Sequence, residues 1–108
     1  MNKQIWKYPI KVEDSQVIEI PNDFEILDIQ LQNGYLSLWA LVDVESTKEK
    51  VTIDIFGTGH TIDTKISRQY IKTIILNPTM VIHIFVRNLS KIRDNKINAI
   101  VNENISDN

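Results

Sequence analysis

Glu25-Ile26-Leu27-Asp28-Ile29-Gln30-Leu31-Gln32-Asn33-Gly34-Tyr35-Leu36-Ser37-Leu38-Trp39-Ala40-Leu41-Val42-Asp43-Val44 decides the fold of this chain. Apolar and polar residues alternate on both sides of Asn33-Gly34, and strict alternation is the period of a β-strand. Asn-Gly is the strongest short hairpin signal, because both residues accept the positive φ of a type I′ turn. Leu27, Ile29 and Leu31 are expected on one face, with Asp28, Gln30 and Gln32 on the other. In the returning strand Leu36, Leu38, Ala40, Val42 and Val44 point one way. Trp39, Leu41 and Asp43 point the other, so this second face is apolar too. The strand is therefore expected at the centre of a sheet, with its second face covered or buried at a subunit contact.

The same alternation extends in both directions. Ile5 to Ile10 reads as a first strand, and Pro9 places it at a sheet edge because proline cannot donate to the ladder. Val17 to Ile20 is a second short strand, closed by Pro21-Asn22-Asp23. Val51, Ile53 and Ile55 alternate with Thr52 and Asp54. Thr61 to Gln69 is polar and reads as a loop. Tyr70 to Leu76 and Met80 to Arg87 form a hairpin around Asn77-Pro78-Thr79, with Ile82, Ile84 and Val86 opposite His83 and Phe85. After Asn88 the pattern changes to Ile92, Ile97, Ile100, Val101 and Ile105 at three- and four-residue steps, a helical period. The expectation is an all-β domain over residues 1–88. It is a small antiparallel β-sandwich or barrel of about seven strands. Residues 89–108 are a polar extension, helical or flexible.

Composition narrows the function classes. The 108 residues suit one domain, and 43% hydrophobic with 24% charged residues is ordinary for a globular protein. A net charge of −2 carries no basic patch for nonspecific nucleic-acid binding. The chain has no cysteine, hence no disulfide, thiolate nucleophile or cysteine-based metal site. No stretch approaches the length of a membrane span and the N-terminus lacks a signal-peptide core. A cytoplasmic protein is expected, without cofactor or bound metal.

Phe56-Gly57-Thr58-Gly59-His60 is the one segment with a physical rationale for a ligand site. It follows a strand directly and holds two of the three glycines. Such a turn can aim several backbone N–H groups at one spot as an anion-binding nest. It is not a P-loop, since no Gly-Lys-Ser/Thr follows. The ligand-site candidates are Gly57, Thr58, Gly59 and His60, with Arg68 or Arg87 to offset charge and Trp39 or Tyr70 to stack on a base. A metal site from His60, His83 and Asp54 or Asp63 has no supporting local spacing. No serine lies in a nucleophile elbow and no acid–base pair stands out, so an enzyme is not expected.

Three blocks together carry a resemblance: Ile5-Trp6-Lys7-Tyr8-Pro9-Ile10, Leu38-Trp39-Ala40-Leu41-Val42-Asp43 and Ile55-Phe56-Gly57-Thr58-Gly59-His60. The chain resembles small uncharacterised proteins of bacteriophage and prophage genomes, with motifs Ile-Trp-Lys-Tyr-Pro-Leu, Leu-Trp-Ala-Leu-Val-Asp and Phe-Gly-Thr-Gly-His-Pro. It departs where Thr61 replaces the usual proline, and where the segment after Arg87 extends past the family's common end. The resemblance implies a phage context and no activity. With it, the expected function is a counter-defence protein of an infected bacterial host, working by binding as a homo-oligomer. It would sequester a small anionic, nucleotide-type immune signal. The alternatives are an inhibitor that binds a host defence or replication protein, and a minor virion or assembly component.

Overall fold

In the computed structural model, residues 2–87 are described, and they form seven antiparallel-paired strands with no helix. These are β1 (Lys3–Ile10), β2 (Ser15–Pro21), β3 (Phe24–Gln32), β4 (Tyr35–Asp43), β5 (Lys48–Gly57), β6 (Arg68–Asn77) and β7 (Met80–Arg87). One sheet has the order β1-β4-β3 and the other β2-β5-β7-β6. The expected all-β sandwich is therefore the observed architecture. The C-terminal segment expected to be helical or flexible lies outside the described residues.

The β3–β4 hairpin behaves as its sequence demands. Asn33 and Gly34 both have positive φ, at 53° and 84°, and Gln32 pairs with Tyr35 across the turn. Leu36, Leu38, Ala40 and Val42 are buried, and β4 is the central strand of its sheet. β1 is an edge, as Pro9 requires. The inward faces of both sheets meet in one core that includes Ile20, Ile29, Leu38, Ile53, Ile84 and Val86. The hydroxyl of Tyr8, on the inward side of β1, is buried without a hydrogen-bond partner, and burial raises its pKa.

One face assignment is corrected. The register between β3 and β4 shifts between Ile26 and Asp28, leaving Leu27 as a bulge residue 45% exposed. The inward set is therefore Phe24, Ile26, Ile29 and Leu31, each paired with an inward residue of β4. A bulge inserts one residue and reverses the alternation on one side of itself. Asp28, Gln30 and Gln32 stay on the outward face.

The second sheet contains a less common connection. β5 and β6 both pair antiparallel with β7, so they run parallel to each other with β7 between them. The segment from Thr58 to Ser67 must carry the chain from one end of β7 to the other. The core fills the inward face, so this connection crosses the outward face and covers part of it.

The Asn33-Gly34 turn gives a clean stability test. Open space surrounds the position where a Gly34 Cβ would stand, so only backbone conformation opposes a side chain. Gly34→Val is expected to lower stability by about 1–2 kcal/mol, the cost of left-handed φ in a branched L-residue. Urea unfolding of the two proteins measures it.

Candidate functional site

Asp54 alternates with Ile53 and Ile55, so it points away from the core, yet it is 1% exposed. The crossing connection and its neighbours enclose it. Ser15, its partner in register on β2, donates a hydroxyl hydrogen bond to Oδ1 at 2.7 Å. Arg87 grips both carboxylate oxygens, with Nε 2.9 Å from Oδ2 and Nη2 2.9 Å from Oδ1. Arg68 adds Nε to Oδ2 at 2.7 Å. Each oxygen thus accepts two donors, the full capacity of a carboxylate. Arg68 also donates from Nη1 to the Asp63 carbonyl at 2.8 Å, and its guanidinium lies 5.1 Å from the Phe56 ring centroid. The cluster ties β2, β5, β6, β7 and the crossing connection together.

Burial pushes the Asp54 pKa up, but hydrogen bonds from Arg87, Arg68 and Ser15 outweigh it and hold the group well below the usual carboxylate range. The same pairing raises the Arg87 pKa. Asp54 is thus an ionised structural anchor, not a general acid.

The glycine segment forms a closed turn. His60 N–H donates to the Gly57 carbonyl at 3.1 Å, and Gly59 has φ +93°, as a type II turn requires at its third residue. Gly57 N–H in turn donates to His60 Nδ1 at 3.1 Å. That bond fixes the neutral tautomer with its proton on Nε2. The imidazole lies over Gly57: a Cβ there would stand 3.1 Å from Cε1 and 3.2 Å from Nε2. Two amides of the expected nest are therefore spent inside the turn. The side of the turn borders a cleft of about 400 Å³, walled by Ile55, Thr58, His60, Met80 and Ile82 and by the acidic residues Glu13 and Asp14.

The remaining candidates separate. The Thr58 hydroxyl bonds His83 Nε2 at 2.8 Å, His83 Nδ1 bonds the Thr73 hydroxyl at 2.9 Å, and that hydroxyl bonds Tyr70 at 2.7 Å. Tyr70 also packs edge-on to Phe85, which packs edge-on to Phe56. Tyr70 is thus joined to the glycine turn through a row of side chains. Arg68 and Arg87 are on the same sheet but are engaged by Asp54. Trp39 lies on the outward face of the other sheet, beside Lys7, whose ammonium is 5.8 Å from its ring centroid. Sequence reasoning missed Asp54 as the organiser, and missed His83 and Thr73 as the link from Thr58 to Tyr70.

Among the described residues no group of three or more histidine, cysteine, aspartate or glutamate side chains could hold a metal ion. No helix there is long and apolar enough to cross a membrane.

These features define a small all-β sandwich whose second sheet is pinned by a buried carboxylate. The chain belongs to the family described as a domain of unknown function, DUF7352, whose model matches residues 1–94. No curated protein and no solved structure matches it.

The Asp54 cluster predicts a pH dependence with a definite sign. A carboxylate whose folded pKa lies below its unfolded value near 3.9 contributes fully above about pH 5 and progressively less as pH falls. Asp54→Asn is expected to cost about 3–5 kcal/mol at neutral pH, because two guanidiniums lose their counter-charge. Its unfolding free energy should also fall less steeply between pH 5 and pH 2 than the wild type's. Urea titrations across that range measure both. Gly57→Ala tests the turn separately. The imidazole should be displaced by a few tenths of an ångström, and the NMR signals of His60 and Thr58 should shift while those of Trp39 do not.

Proposed function

We propose that this chain is a binding protein, not an enzyme, and that it inhibits a host protein through the outward face of its β1-β4-β3 sheet. The observation that carries this reading is the apolar centre of that face. Ile5, 61% exposed, pairs across the strands with Leu41, and Trp39 lies next along β4. Lys3, Lys7, Glu25, Asp28 and Asp43 surround them on the same face. An aromatic anchor within an apolar centre and a charged rim is the composition of an interface hot spot. The phage-like motifs suggest a host defence or replication enzyme as the target.

A second reading is capture of a small anionic, nucleotide-type signal in the cleft beside Gly57–His60. The fixed Nε2–H of His60 at that cleft favours it, and Tyr70 offers an exposed ring on the same sheet. Charge opposes it: Arg68 and Arg87 are held by Asp54, and Glu13 and Asp14 stand on the cleft wall. Protein binding therefore accounts for more of the geometry.

Capture from host lysate by the immobilised protein, Trp39→Ala and His60→Ala separates the readings. A partner retained by wild type and His60→Ala, but reduced at least ten-fold by Trp39→Ala, is the expected result. Equal capture by Trp39→Ala, or calorimetric binding of a cyclic or linear nucleotide that His60→Ala abolishes, would overturn it in favour of the second reading.

A further inference from the structure

The cleft beside Gly57–His60 opens at one end of the sandwich, between the β1–β2 corner at residues 11–14 and the start of β7. Ile55 and Ile82, both buried members of the core, form its floor, so the apolar core reaches into it. Val12 and Met80 stand on its two sides, 54% and 47% exposed. Asp14, Ile55 and His60 also border a second depression that reaches Phe56 and Thr61, so the recess continues past the turn.

The walls are fixed by their own hydrogen bonds. Gln16 holds Lys11 twice: the Lys11 N–H donates to Gln16 Oε1 at 3.0 Å, and Gln16 Nε2 donates to the Lys11 carbonyl at 2.6 Å. The Glu13 N–H donates to the same carbonyl at 3.0 Å, and the Asp14 carbonyl accepts the Ile55 N–H at 3.0 Å. The backbone of the corner is thus tied down by groups other than the Glu13 and Asp14 carboxylates. Neither carboxylate has an ion-pair partner among the described residues.

The charge of the lining selects what can enter. Glu13 and Asp14 line the cleft, and no lysine or arginine does. His60 accepts the Gly57 N–H on Nδ1, as only a neutral imidazole can. The cleft therefore repels phosphates and carboxylates and attracts a cation. Its apolar floor requires that the cation be carried on an apolar body, the form of a lysine or arginine side chain with its hydrocarbon stem. A volume of about 400 Å³ is that of a pocket enclosing a whole small ligand, so neighbouring apolar groups fit beside the basic one. Met80 on the wall is the residue type that adapts its shape to such groups.

We propose that this cleft docks a short basic and apolar peptide segment of another protein, placing a lysine or arginine head at Glu13 and Asp14 and an adjoining apolar side chain against Ile55, Ile82 and Met80. The site is separate from the interface proposed on the outward face of the first sheet and does not depend on it. It is opposed to anion capture in the same cleft.

The probe is the synthetic peptide acetyl-Leu-Arg-Leu-amide, titrated into the full-length protein and followed by NMR. Acetyl-Leu-Glu-Leu-amide and spermidine are the comparisons. The arginine peptide should move the amide signals of Val12, Asp14 and Met80 and leave those of Trp39 in place. It should bind about ten-fold more tightly than either comparison. Glu13→Gln combined with Asp14→Asn should weaken it by about ten-fold, the combined effect of two solvent-accessible ion pairs. Both residues are exposed, so the double variant keeps its fold, and its Trp39 signals report that directly. Met80→Gln should weaken the peptide several-fold with the charge unchanged. No binding of the arginine peptide, equal binding of the glutamate peptide, or undiminished binding to the double variant would overturn the proposal. Spermidine binding as tightly as the arginine peptide would overturn it too, in favour of a free polyamine. Because Trp39→Ala leaves this cleft intact, the outcome is separate from that of the lysate capture.

Discussion

The carboxylate of Asp54 is the constraint on which the second sheet depends. A buried charge is tolerated only when its hydrogen-bonding capacity is filled by opposite charge. Here Ser15, Arg68 and Arg87 fill it, and each comes from a different strand. None of those strands can shift register without exposing the anion to an apolar surround. The cluster therefore gives the outward face of this sheet a single arrangement, as the apolar core does for the inward face.

That arrangement also decides what the glycine turn can do. The chain leaves Gly57, closes a turn on His60 and crosses the sheet to Arg68. Arg68 must hold Asp54 and the Asp63 carbonyl at once. Its guanidinium is thereby withdrawn from any ligand at the turn. His60 is likewise committed, with one nitrogen accepting the Gly57 N–H. The turn is a well-determined piece of structure in which the Gly57 and His60 amides are already engaged.

Much of the fold was legible because alternation and turn chemistry agree. Asn33-Gly34 announced the hairpin, and Ile82, Ile84 and Val86 against His83 and Phe85 announced the faces of β7. Leu27 was misassigned because a bulge leaves no mark in a run of alternating residues; only the register with a partner strand reveals it. Alternation set Asp54 on the face opposite Ile53 and Ile55 but gave no sign of its burial, because alternation reports which face a side chain is on, not whether something covers that face. The cover was implied by the connection from Thr58 to Ser67, but only once β5 and β6 are known to be parallel. Of the candidate site, the glycine turn was legible, but the row of side chains from Thr58 through His83 and Thr73 to Tyr70 was not, since it joins residues on three separate strands and loops. The commitment of Arg68 and Arg87 was not, since their partner lies far along the chain from Arg87.

The insertion of β7 between two parallel neighbours has a consequence for how the polypeptide is built. Strands β5 and β6 share no backbone ladder, only the side-chain contacts of Arg68 with Asp54 and Phe56, until the strand that follows both of them in the chain slots in between. Before then β2 can pair with β5, but the hairpin partner of β6 has not emerged and Asp54 lacks its bidentate arginine. This half of the molecule must therefore be completed in one late event during synthesis. The β3–β4 hairpin, made of neighbouring segments, can form well before it and serve as the surface on which the rest assembles.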